Sequence, residues 1–548
     1  GRAALNANTS ADNNTAVGYN AMLDNTTGAN NTAVGSQALD ANTTAFNCTA
    51  IGANCLTSSN SSNNTGVGSS CLALNSSGSN NAALGINAAY NNTTGNQNVA
   101  IGRNSLFSNT TGGGNTAVGD KALDAHTTAN NNTAVGINAL AGNTTGANNT
   151  SFGAYSLDAN TSADNNTAFG YAALSANTTG TLNTAVGVNA LTANTKGDRC
   201  VAVGHNALSS MNITTSTHMY NVAVGLNALS QTTTGQYNVA VGGDCCNTQT
   251  TATNNTGVGH GALYYSTGSY NVAMGTGTLD ANTTANYNTA LGWAALGANT
   301  TGGNQVSVGA SSLGSCTTGF QNVAVGANSL DALTTATNNV GVGYNALGSN
   351  STGGSNVALG KDAGIDISTG NSNICVGTNA NPSAGTGINQ IIVGHDLNGI
   401  GNNYFTLGKS ANRVYNQFTS NASWTRSSDV RLKKDIQTNA DLGLDFINDL
   451  RTVTYKWKAP SELDSSLSAH DASKTEADYT NKMYGFIAQE VKQALDDNNV
   501  TDFAGWTEDN EGIQGISYEM FVMPLVKAVQ ELSAENEALK ARLDAAGI

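Results

Sequence analysis

Sulfur, imidazole and carboxylate groups could do chemistry here, and in 548 residues they are few and scattered. The eight cysteines are Cys48, Cys55, Cys71, Cys200, Cys245, Cys246, Cys316 and Cys375. None stands at a C-x-x-C spacing, which zinc uses to gather thiolates. Buried free thiols and bridges between neighbouring repeat units both stay open, with Cys55 and Cys71 in equivalent places for a bridge. The six histidines form no metal cluster. The acidic residues are too sparse for calcium-binding nonapeptides. Asp40, Asp124, Asp158, Asp280 and Asp331 each follow a Leu and read as solvated turn charges. The sequons at Asn13, Asn25 and Asn42 would accept glycans in a glycosylating host; the other reading is Asn and Thr ladders in turns. No cofactor or metal is expected, and no constellation suited to an external substrate stands out.

The scaffold behind these groups is a repeat. Its anchor is Asn-Asn-Thr-Ala-Val-Gly-x-x-Ala-Leu, with glycines such as Gly18, Gly35, Gly136, Gly225 and Gly326 in register. From Gly1 to Gly408, 20 of the 24 intervals are 17 residues long. Isolated domains keep no such beat, and a solenoid does. Gly1 enters mid-repeat, so further repeats or an attachment domain are expected upstream. With 63 Gly but 3 Pro and no Gly-X-Y period, collagen is excluded. Charged residues at 10% are too few for a long coiled-coil rod. The net charge of −15 offers no nucleic-acid footprint. No window approaches the roughly 18 apolar residues of a membrane span.

Each repeat reads as two short strands and two turns. The first strand is Thr/Val-Ala-Val-Gly, with the flanking residues on one face and Ala on the other. The second contains Ala-Leu, and Asn-Thr-Thr-Gly then turns the chain. Seventeen residues suit one coil of a narrow β-roll, and 24 intervals at roughly 4.8 Å give a rod of about 115 Å. One strand face fills the coil. The other is uncharged and needs a partner, which points to a homotrimer, with packing on another protein as the alternative. The 21-residue interval holds an extra loop, 209–220, read as a tolerated insertion.

The run Asn-Thr-Ala-Val-Gly-x-x-Ala resembles the head repeat of trimeric autotransporter adhesins of the YadA type. That resemblance implies a trimeric left-handed parallel β-roll. The repeats here are longer than that family's, so a larger second turn is expected.

Beyond Gly408 the composition changes. Residues 1–420 carry 8 basic and 14 acidic side chains, whereas 421–548 carry 13 and 22. The expected organisation is therefore a mainly β shaft over 1–408, a connector over 409–427, and a small α+β domain over 428–548. In that domain 442–450 reads as a helix, 453–458 as a strand, 459–481 as a loop, and 484–491 as the lead into a second helix. Leu525, Val529, Leu532, Asn536, Leu539 and Leu543 alternate spacings of four and three. This is a heptad seam on a helix of about 522–544; a helix packed on its own domain is the alternative.

Ser-Asp-x-Arg-Leu-Lys-x-Asp-Ile from Ser428, Gly485-Phe486-Ile487-Ala488-Gln489-Glu490-Val491, and 524–532 resemble the intramolecular chaperone domain of phage endosialidases, tail spikes and tail fibres. Members trimerise, template folding of the β-rich fibre upstream, and often cleave themselves before the motif Ser. The resemblance implies a Ser427–Ser428 scissile bond, Ser428 as nucleophile and Lys433 as general base. Some members carry a His before the Gly-x-Ile-Ala-Gln segment. Here Met483 and Tyr484 stand there, and the nearest upstream His is His470. A Ser hydroxyl needs a base to take its proton, and Lys serves only when burial lowers its pKa. Lys433 and Arg431 as surface or trimer-contact charges are the other reading.

The expected function is a homotrimeric extracellular virion tail fibre that attaches to a host-cell glycan or surface protein. Other tail proteins would bind through an upstream part. A cell-surface adhesin of the same architecture is the second reading, and an ice-binding solenoid a lesser one.

Overall fold

A computed structural model describes residues 1–418, 425–426, 428–467, 470–477, 481–509 and 512–548. The chain forms two compact units, Gly1–Ser427 and Ser428–Ile548.

The first unit is a β-solenoid built on one sheet of 26 strands. From Thr15–Val17 to Tyr404–Lys409 the strands stack parallel, one per coil. The register is residue for residue: Thr15 faces Thr32, Ala16 faces Ala33 and Val17 faces Val34. Ala33, Ala38 and Leu39 point into the coil and are fully buried, as are most of their equivalents along the stack, while Ala4, Leu5 and Ala16 of the first coils are partly buried. The strand therefore turns Ala inward and Val outward. In the segment expected as a connector, Asn412–Gln417 pairs antiparallel with Tyr404–Lys409 and Thr425–Arg426 adds to it. Residues 419–424 and Ser427 lie outside the described residues.

The second strand expected in each repeat does not form. Gln37 and Leu39 both have φ of 56°, and the same alternation recurs at Asn54 and Leu56. Left-handed residues at every second position fold the chain into an arch instead of extending it. Each arch still stacks on the next: the Leu39 amide donates to the Cys55 carbonyl at 2.9 Å. This column holds Leu, Met, Ala, Cys, Gly or Asn but no β-branched residue, since branching at Cβ makes positive φ prohibitive.

Glycine is required at the arch entrance. Gly18, Gly35, Gly136, Gly225 and Gly326 have φ between 133° and 146°. A Cβ on Gly35 would lie 2.3 Å from the Gly52 carbonyl oxygen. Side-chain amides close the two ends of the coil. Asn31 donates to the Ala45 carbonyl at 2.8 Å and accepts from the Cys48 amide at 2.8 Å. Asn42 donates to Asn25 Oδ1 at 2.9 Å and to the Ala45 carbonyl. These ladders satisfy backbone groups that the narrow coil shields from water.

The second unit is a small α+β domain with three α-helices among its described residues: α1 (Leu444–Asp449), α2 (Ala488–Asp497) and α3 (Val522–Ala546). Val453–Tyr455 pairs antiparallel with Met483–Gly485, and Trp506–Glu508 with Gln514–Ile516. Leu442, Phe446, Val491, Ala494, Leu495 and Phe521 form its core. Glu531 on α3 accepts the Leu444 amide at 2.7 Å and so caps α1. That bond first, then Lys527, holds the Glu531 carboxyl below its ordinary range.

Candidate functional site

Three features stand out as candidates for chemistry or assembly: a Ser–Lys pair, a helical seam and an outward apolar stripe. The pair sits where the second unit begins. The Asp429 carboxylate accepts from the Arg431 amide at 2.9 Å and from its guanidinium at 2.7 and 3.0 Å. Arg431 foremost thereby depresses the Asp429 pKa. This caps a 3-10 turn, Val430–Leu432. The turn brings Lys433 back so that its Nζ donates to Ser428 Oγ at 2.7 Å. The five-residue spacing is thus within proton-transfer reach. Both residues are exposed. A Lys serves as a base only where burial favours its neutral form. Ser427, on the far side of the expected scissile bond, lies outside the described residues. His470 is engaged elsewhere, bonded to the Leu463 carbonyl at 3.0 Å.

On α3 two faces separate. Pro524 and Ala528 are buried on the domain and Glu531 reaches α1. Leu525, Val529, Leu532, Leu539 and Leu543 are 41–65% exposed, with Asn536 exposed among them. The heptad seam is therefore not the face used for packing within the chain.

Along the solenoid the outward residue at the end of each strand forms a second apolar row. Val17, Ile51, Leu84, Phe152, Phe169 and Leu291 are exposed. Phe152 and Phe169, one coil apart, stack at 4.7 Å. Monomeric proteins rarely show contiguous apolar patches beyond a few hundred Å².

The remaining groups resolve structurally. All eight cysteines are free and buried, and burial raises the Cys200 and Cys375 thiols to about 12. Cys245 and Cys246 have their sulfurs 3.8 Å apart. His126 takes an Asn place in the inner ladder, bonding the Ala129 carbonyl at 2.8 Å, and burial lowers its pKa. Asn25 and Asn42 are fully buried ladder rungs, so of the three named sequons only Asn13 is open. The turn aspartates are half-buried, not freely solvated. Burial raises the pKa of Asp40, Asp124, Asp158, Asp280 and Asp331.

The inserted loop is more than a surface excursion. Met211 and Met219 are buried, and Thr217–His218 pairs parallel with Gly197–Asp198. Sequence reasoning missed this because the loop has no periodicity; its two Met were the available signal. Turn threonines such as Thr26 and Thr93 donate their hydroxyls to the next coil's carbonyl, so these hydroxyl protons are not free for ice.

Residues 428–500 match the family model described as chaperone of endosialidase. The match starts on Ser428 and spans the Ser–Lys pair, α1 and α2; the Pro524–Leu532 motif and the seam lie beyond it. No curated protein matches the chain. The solenoid followed by a domain matching this family is a fibre-like arrangement whose C-terminal part suits a folding and trimerisation role.

Proposed function

We propose that this chain is the shaft and chaperone portion of a homotrimeric extracellular fibre, a virion tail fibre that attaches to a host-cell receptor. The carrying observation is the seam on α3: a heptad row exposed on a helix whose other face is already packed. Three such seams form a parallel coiled coil. The outward apolar row of a left-handed roll would meet its two counterparts along the shaft. A clamp is needed because near-identical coils bury similar surface in every register. The C-terminal unit supplies it.

Within that reading Ser428 attacks the Ser427 carbonyl carbon. Lys433, neutral once buried by assembly, takes the hydroxyl proton and returns it to the leaving Ser428 amide nitrogen. The acyl group passes to Ser428 Oγ and water completes hydrolysis. Cleavage is then a consequence of trimer formation.

Light scattering on the full chain and on a truncation ending at Gly408 tests the role. The full chain gives a trimer mass, and the truncation gives misregistered or aggregated material. Soluble, registered trimers formed equally well by the truncation would refute it.

A further inference from the structure

The start of the second unit is an arm left open by that unit's described residues. Val430, Leu432 and Ile436 are 56–67% exposed, although three apolar residues in seven is core composition. Arg431, Lys433 and Lys434 against Asp429 and Asp435 leave the same arm a net charge of +1. Arg431 is paired with Asp429 and Lys433 is bonded to Ser428, so among the described residues Lys434 is the arm's unengaged cation.

Elsewhere in the unit lies a groove with the opposite need. Tyr455, Trp457, Phe486, Ile487 and Tyr518 line a hollow of about 460 Å³. Gln514 also lines it, and its Oε1 is buried with no hydrogen-bond partner among the described residues. A buried carbonyl left unpaired costs about 1–3 kcal/mol, so the groove is short of a donor as well as of apolar contact. Gln489 lines this groove, and the next residue, Glu490, lines an acidic hollow with Asp449 and Asp497. Arg451 pairs with Glu490 there, which leaves two carboxylates in excess.

We propose that the arm, residues 428–436, docks in this groove on a second copy of the chain. Its apolar side chains fill the aromatic hollow, a backbone N–H reaches Gln514 Oε1, and Lys434 faces Asp449 and Asp497. The charge match and the shared apolar character pair these two surfaces. Among the described residues a single chain leaves both open, although the six Cα-to-Cα steps from Ile436 to Leu442 reach up to roughly 20 Å. That favours exchange between copies over closure on itself. The proposal rests on the trimer reading above. Each arm would join one subunit to the next, beside the helical seam.

The test uses the full chain with Leu432→Cys and Trp457→Cys together, treated with a short bis-maleimide. Mass in solution is measured in parallel. The buried native cysteines and each single variant serve as controls. The expected result is a trimer mass with covalent dimers and trimers on a denaturing gel, absent from the single variants. In a companion exchange measurement, Trp457→Ala loses at least ten-fold protection over 430–436 while remaining trimeric. A trimer mass with only intrachain product, or with arm protection unchanged in Trp457→Ala, overturns the arm exchange alone. A monomer mass overturns the trimer reading and this proposal with it.

Discussion

Replacing Gly326 by Ala separates backbone strain from ordinary positive-φ preference. Gly326 has φ of 133°, and a Cβ there would lie 2.3 Å from the Gly343 carbonyl oxygen. Normal contact needs more than about 3 Å, so the two coils must part by roughly 1 Å. The Gly343 amide donates to the Val325 carbonyl at 2.7 Å, and the same movement breaks that bond. Strain of about 1–3 kcal/mol and a lost buried bond of about 1–3 kcal/mol give a local loss of roughly 2–6 kcal/mol. Asn328, two residues on, has φ of 56°, where Ala costs only about 1 kcal/mol. Hydrogen exchange followed by mass spectrometry reads both variants coil by coil. Gly326→Ala should lose roughly one and a half to four orders of magnitude of protection over 306–359, with distant coils unchanged because neighbours alone are coupled. Asn328→Ala should lose less than ten-fold. Equal effects, or a loss spread evenly along the shaft, would refute the close-contact account.

Val529→Asp with Leu532→Asp should abolish trimer recovery on refolding, since each apolar contact is worth about 2 kcal/mol per chain; Glu535→Ala, outside the seam, should leave recovery within two-fold. Ser428→Ala should remove any self-cleavage seen by intact mass, and Lys433→Arg, which stays charged, should do the same while retaining the trimer. Asp40 is raised by burial and then by Asp24, so its contribution is best at acid pH and is lost as pH rises through its folded pKa. Asp40→Asn should therefore raise the melting temperature at pH 7 by a degree or two and show no gain at pH 3, by calorimetry. The Glu531 carboxyl runs the other way. Its depressed pKa adds stability above the ordinary carboxylate range that is lost as pH falls through the folded value, and Glu531→Gln should flatten that acid limb in near-UV dichroism.

Much of the fold was legible because each coil repeats the same demand. Seventeen residues with one Gly in register admit one coil, and the Val-Ala-Val string marks its strand. The Ala-Leu segment misled because its apolar residues are buried like those of a strand. Its positive φ values at Gln37 and Leu39 show only in the backbone, though the lack of β-branched residues in the Leu column was a signal within reach. The five-residue Ser428-to-Lys433 spacing was legible as a family motif. Its 2.7 Å contact was not, because that depends on the turn capped by Asp429.

By itself the sequence determined the period, the inventory of buried small residues and the heptad row, because all three are statements about spacing. Only the tertiary structure decided which strand face turns inward, that the row on α3 stays open once Pro524 and Ala528 are packed, and that the asparagines are rungs. Orientation is a relation between segments far apart in the chain. Either face of a Val-Ala-Val strand is apolar, and only closure of the arch, which buries Leu39 in one core with Ala33 and Ala38, leaves room for Ala and none for Val.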